Sequence, residues 1–206
     1  MPQAPEHDQA GRGGRRSWLG RARSVISGYP LLFILLALVV GAIVAVPTTE
    51  AVDRYFSTDQ FCAETCHTMQ ATVATEYREA THWKTPTGVR ARCADCHVSE
   101  GLTLAMWDHF LGTRDLIAFL SGVRSREDFE EVRPEAAHRV RMAMLANDSK
   151  HCRSCHVMAA IQPERTRGQR QHAQALEEGT TCIACHYNLV HTEVEPSEEF
   201  LQAIER

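Results

Sequence analysis

Eight cysteines fall into four close pairs, and a histidine follows the second cysteine of every pair: Cys62 and Cys66 with His67, Cys93 and Cys96 with His97, Cys152 and Cys155 with His156, Cys182 and Cys185 with His186. The last three read C-x-x-C-H, in which two thiols bond the vinyl groups of a porphyrin and the adjacent imidazole reaches the iron. Disulfides suit an oxidising compartment but make no demand on the next residue. Zinc sites draw two pairs to one metal and again do not need the histidine. Four covalently attached haem c groups are therefore expected. The first motif, Cys62-Ala63-Glu64-Thr65-Cys66-His67, carries one residue more between its thiols, so its loop must bulge or its haem must sit differently.

Such groups would also supply an interior that the side chains do not. Of 206 residues 44% are hydrophobic, but many of these lie in one run without charge, residues 29–46. The remainder is too polar for a large conventional core, and its length suits one modest domain. The apolar run is long enough to cross hydrocarbon as a helix. It exceeds the core of a cleaved signal peptide, and Ala45-Val46-Pro47 is a poor cleavage site. An uncleaved anchor at residues 29–47 is expected, preceded by a basic segment at 1–28 and followed by a haem domain at 48–193 and an acidic tail at 194–206. The fold class is mainly α, a single membrane helix plus a small multihaem domain.

Charge sets the orientation. Residues 1–28 hold five arginines against Glu6 and Asp8, a net of +3, which leaves −7 for the rest of a chain at −4. A basic flank before the span places the amino terminus in the cytoplasm and the haem domain on the other side. Arg15-Arg16-Ser17-Trp18-Leu19 is similar to a twin-arginine export signal, although a positive flank accounts for it as well. The acidic body lacks the basic patch that nucleic-acid binding requires.

The motifs form two pairs. His67 precedes His97 by 30 residues, and His156 precedes His186 by 30. The spacing reads as an internal duplication, and His67-Thr68-Met69 matches His156-Val157-Met158. His82 lies 15 residues before His97 and His172 lies 14 before His186. A low-spin haem needs a second axial ligand, and these two, with His191, are the candidates. His7 lies on the cytoplasmic side, and His109, His138 and His151 read as structural or exposed. In the first half Leu102 stands at the place of His191, which leaves the first haem without an obvious second histidine.

These motifs, behind one amino-terminal anchor, resemble the NapC/NirT/NrfH family of tetrahaem quinol dehydrogenases over residues 28–193. The matching stretches are Phe61 to Met69, Gly88-Val89-Arg90-Ala91 before the second motif, Ala146-Asn147-Asp148-Ser149 before the third, and Gly179-Thr180-Thr181 before the fourth. The resemblance implies a first haem close to a quinol pocket, with Met69 able to take its iron. It assigns His82 to the fourth haem and His191 to the third, and leaves the second variable, open to a ligand from a partner. Asp115 fits the acidic residue of the quinol site. The stretch after His97 is short and lacks the lysine of relatives, and His109 is the stand-in for the base. Ala118 and Phe119 stand where many members have histidines.

The implied function is electron transfer between the quinone pool and a periplasmic multihaem or molybdenum oxidoreductase. The chain would sit singly spanning a bacterial inner membrane, either as a homo-oligomer or in stable complex with its partner. The reverse direction, quinone reduction fed by a hydroxylamine-oxidising enzyme, is chemically open. So are a terminal reductase of a small nitrogen or sulfur compound, and a relay without quinol chemistry. The segment 102–120 reads as amphipathic, with Leu102, Met106, Phe110 and Ile117 on or near one side, suited either to a bilayer surface or to packing against haem.

Overall fold

The computed structural model describes residues 28–205. The basic segment, with His7 and Arg15-Arg16, lies outside the described residues. The chain divides into two units, the first ending at Ala51 and the second starting at Val52.

Helix α1 (Pro30–Phe56) is the expected anchor. Its apolar stretch has a mean hydropathy of 2.8, and that stretch is not buried by the protein. At 1.5 Å per residue, its 27 residues exceed a hydrocarbon core of about 30 Å. The helix continues nine residues beyond the expected end at Pro47. That proline removes one backbone donor, and the chain carries the turn through it. The second compact unit starts at Val52.

The second unit is made of short helices: α2 (His67–Ala71), α3 (Val73–Glu79), α4 (Cys93–His97), α5 (Leu102–Ser121), α6 (Arg126–Ala146), α7 (Lys150–Arg153), α8 (Thr166–Glu178) and α9 (Glu198–Ile204). No strand occurs among the described residues, so the mainly α expectation holds. A π-helical turn at Phe61–Thr65 takes up the extra residue of the first motif; a wider turn of this kind absorbs one inserted residue without breaking the helical path. The second thiol of that motif therefore follows directly on the turn. Thr72 and Thr68 lock the start of the unit: the Thr72 hydroxyl donates to the Thr68 carbonyl at 2.6 Å, and the Thr68 hydroxyl faces the Val123 and Arg124 carbonyls at 3.3 and 3.2 Å.

The buried apolar residues are Ala63, Ala74, Tyr77, Ala94, Ala105, Ile183 and Phe200. Four are alanines, so side chains fill little of the interior among the described residues. The acidic tail is helical over Glu198–Ile204. Phe200 on α9 is wholly buried, 5.6 Å from the Tyr187 ring. Arg141 of α6 holds the approach to it, donating to the Val194 carbonyl at 2.7 Å and Asn188 Oδ1 at 2.8 Å. The acidic composition of residues 194–206 concealed one aromatic anchor and an arginine clamp placed 54 residues earlier.

Candidate haem-binding site

Each half of the duplication ties its two motifs together in the same way. Asp59, three residues before Cys62, accepts from the Cys93 amide at 2.9 Å. Ser149, three residues before Cys152, accepts from the Ile183 amide at 3.0 Å. The Cys62 and Cys93 thiols lie within hydrogen-bonding reach of each other, and so do those of Cys152 and Cys182. All eight cysteines are free. In α4 the Asp95 carboxylate accepts from the Arg92 amide at 2.8 Å, fixing the first turn. Cys93 and Cys96 then share one helix face at i,i+3, and His97 follows. Burial pushes the Cys96 thiol up to about 11, with the Cys152, Asp95 and Cys155 charges adding to it. The second and third motifs are thus neighbours as well.

Three pairs of imidazoles face one another. Ring centroids lie 6.3 Å apart for His97 and His191, 6.1 Å for His82 and His156, and 6.0 Å for His172 and His186. Two imidazoles on opposite sides of one metal, each about 2 Å from it through nitrogen, hold their centroids about 6 Å apart. The residues present therefore fit three doubly histidine-ligated haems. His172 is oriented for this, its Nδ1 2.9 Å from the Gly168 carbonyl, which leaves Nε2 for the metal side. Burial lowers the pKa of His82, His186 and His97, and His97 falls to about 4.

These partners differ from those the resemblance assigns. His82 faces the third motif rather than the fourth, and His191 faces the second rather than the third. His172, whose haem was open, faces the fourth. His82 and His172 occupy equivalent places in the duplication but have inequivalent partners. His172 turns to its own half, whereas His82 crosses to the other, since the contact of α4 with α7 sets His156 beside it.

His67 is exposed and Met69 half-buried, and among the described residues no second imidazole faces His67. Near this motif lies His109 of α5, its Nδ1 3.2 Å from Asp53 Oδ1, with both side chains about four-fifths buried at 20% and 17% exposure. Neither His109 nitrogen nor that Asp53 oxygen completes a hydrogen bond. The Phe56 ring lies 5.9 Å from His109 and 4.6 Å from Phe61, and the Phe56 carbonyl is 3.6 Å from Cys62 Sγ. Asp115 does not join this group. It is exposed on α5, six residues past His109 and so about 240° around the helix. Asp53, a carboxylate just beyond an apolar run, could have been noticed in the sequence; its pairing with a residue 56 positions later could not.

A second unforeseen group surrounds Glu76. Its carboxylate takes two hydrogen bonds from the Arg133 guanidinium, at 3.0 and 2.6 Å, and one from the Thr192 amide at 3.0 Å. Burial would raise this carboxyl, but Arg133 and Thr192 outweigh it and hold it at about 2. Arg133 is also bound to Glu130. His138, by contrast, is structural as expected, its Nδ1 2.8 Å from the Ser197 hydroxyl.

The family model described as "NapC/NirT cytochrome c family, N-terminal region" matches residues 25–196. The chain is a member of the NapC/NirT cytochrome c family. Among its relatives, the denitrification system component NirT of Stutzerimonas stutzeri is 37% identical over 138 residues, covering 66% of this chain and 68% of its own. A tetrahaem c-type cytochrome of Allochromatium vinosum is 38% identical over 173 residues, 81% of this chain and 93% of that one. Another from Nitrosomonas europaea is 36% identical over 180 residues, 85% and 71%. No solved structure matches the chain. Membership of this cytochrome c family and the four motifs agree on haem c as the cofactor, and α1 is the one helix among the described residues long and apolar enough to anchor a member in a membrane.

Proposed function

We propose that this NapC/NirT-family cytochrome oxidises a membrane quinol and passes the electrons singly to a periplasmic oxidoreductase. The observation that carries the reading is the buried Asp53 and His109 pair beside the first motif, with polar atoms that complete no hydrogen bond. Buried polar groups in proteins are normally satisfied, and a carboxylate and imidazole held this way are fit to accept protons.

A quinol gives up two protons and two electrons on becoming a quinone, and haems, when bound, accept those electrons one at a time. His109 takes a hydroxyl proton at a ring nitrogen. Asp53 stabilises the imidazolium that results and supplies a second acceptor. Phe56 and Phe61 form an apolar wall against which a quinone ring can lie, between His109 and Cys62. Cys62, Cys66 and His67 would hold the first haem, with Met69 as the proposed second ligand. The pairs His97 with His191, His82 with His156 and His172 with His186 would hold the others. Asp53 lies seven residues past Val46 in the chain, which favours a site reached from the bilayer. Asp115, proposed from the resemblance as the acidic residue, gives way to Asp53 in this reading. The name of the Stutzerimonas stutzeri relative supports a reductase of nitrogen compounds as the electron acceptor.

The test is haem reduction by a menaquinol or ubiquinol analogue in membranes. Asp53→Asn and His109→Gln should each slow it about a hundredfold, the lower range for loss of an acid or base, while dithionite still reduces all four haems. Asp115→Asn should leave the rate within about twofold, as expected for a group outside the proton path. Unaltered rates in the first two variants would end this assignment.

A further inference from the structure

The Glu76 and Arg133 group lies against His191, and its placement there is not accounted for by packing alone. His191 Nδ1 is buried and completes no hydrogen bond. It is 3.8 Å from Glu76 Oε2, and the Val73 carbonyl faces it as well. Arg133 is shared between Glu76 and Glu130, and at the imidazole the Glu76 charge acts against that of Arg133 and is the larger of the two. The adjoining Thr192 amide is held on the same Glu76 oxygen, which fixes the backbone next to His191. His172 differs, because its Nδ1 meets only a neutral carbonyl at 2.9 Å.

A histidine that binds a metal through one nitrogen almost always gives its other N–H to a carboxylate, carbonyl or water, and that partner sets the tautomer and the basicity of the ligand. We propose that Glu76 is the positioning residue of His191: its carboxylate selects Nδ1 as the protonated nitrogen, leaves Nε2 toward His97, and makes this imidazole a stronger donor than its counterparts. The proposal rests on His97 and His191 sharing one haem. Stronger donation favours the oxidised iron, so the second haem takes a lower potential than a neutral partner would give. Glu76 is on α3, Arg133 on α6 and His191 near the carboxyl end, so three remote stretches combine to tune one ligand.

The experiment compares three variants of the full-length holoprotein in detergent by potentiometric titration and low-temperature electron paramagnetic resonance. His191→Ala tests the ligand pair, and should convert one of four haems from low to high spin. Glu76→Gln keeps the shape but drops the charge. It should raise one midpoint potential by an amount equal to about a tenfold change in the reduced-to-oxidised ratio, about 59 mV for one electron, and shift that haem's g-values. Glu76→Asp keeps the charge at a shorter reach, and should shift the same haem in the same direction by less; it serves where the glutamine variant fails to retain four haems. If His191→Ala leaves every haem low-spin, the ligand pair is wrong. If it acts as expected but neither Glu76 variant moves that haem's potential and g-values, the Val73 carbonyl is the partner and the role given to Glu76 is overturned.

Discussion

Ser149 has a left-handed backbone at φ 51° and is wholly buried. Its hydroxyl is 2.6 Å from the Thr181 hydroxyl and accepts from the Ile183 amide. Ser149→Ala strands that amide in the interior, and should lower stability by about 1–3 kcal/mol, read as the denaturant midpoint followed by circular dichroism. Single residues of this kind show how far sequence carries. The cysteines and their histidines are legible because covalent chemistry fixes their spacing; His82, His172 and His191 stand out by repeated or conspicuous places, and the fold sets each opposite a motif histidine. Glu76, Asp53 and Arg133 are ordinary surface residue types. Only the folded chain brings Glu76 to a residue 116 positions away.

Helix α6 starts on reciprocal bonds: Ser125 Oγ accepts from the Asp128 amide at 3.1 Å, while the Asp128 carboxylate accepts from the Ser125 and Arg124 amides at 2.8 and 3.0 Å. Ser125→Ala should lower stability by about 1 kcal/mol. The bonds from the Ser125 and Arg124 amides hold the Asp128 carboxyl below its ordinary value of 3.8. A depressed carboxyl stabilises fully above that value and loses its contribution as pH falls through the folded one. Melting temperatures between pH 5 and 3 should therefore drop more in the wild type than in Asp128→Asn. Among the elements, the anchor was the most legible and its end the least, since Pro47 signals a stop that the helix does not obey. The expected face of α5 is divided by the structure. Leu102 and Met106 are half-buried, whereas Phe110 and Ile117 are 61% exposed together with Trp107 at 57%. Periodicity identified one side of this helix but not that packing covers its two ends and leaves the middle exposed.

At the scale of the molecule, four alanines among seven buried apolar residues make the bound groups the true interior. Pyridine haemochrome assay should give four haems per chain, and three when Cys182 and Cys185 are both replaced by alanine. Circular dichroism of that variant should show earlier thermal loss of helix than the wild type. The duplication, plain in the 30-residue spacing, did not reveal that its halves exchange a ligand. His82 belongs to the first half and faces the third motif, while His191 comes after the fourth motif and faces the second. The two halves are thereby laced together, and neither is complete alone. If His191 completes the second haem, that haem can be attached as soon as Cys93 and Cys96 emerge, while its far side would stay uncovered until nearly the whole polypeptide has been made. Assembly of the wire would then be gated by the last stretch of chain to arrive, and a protein cut short before that stretch would carry its pigment without a closed circuit.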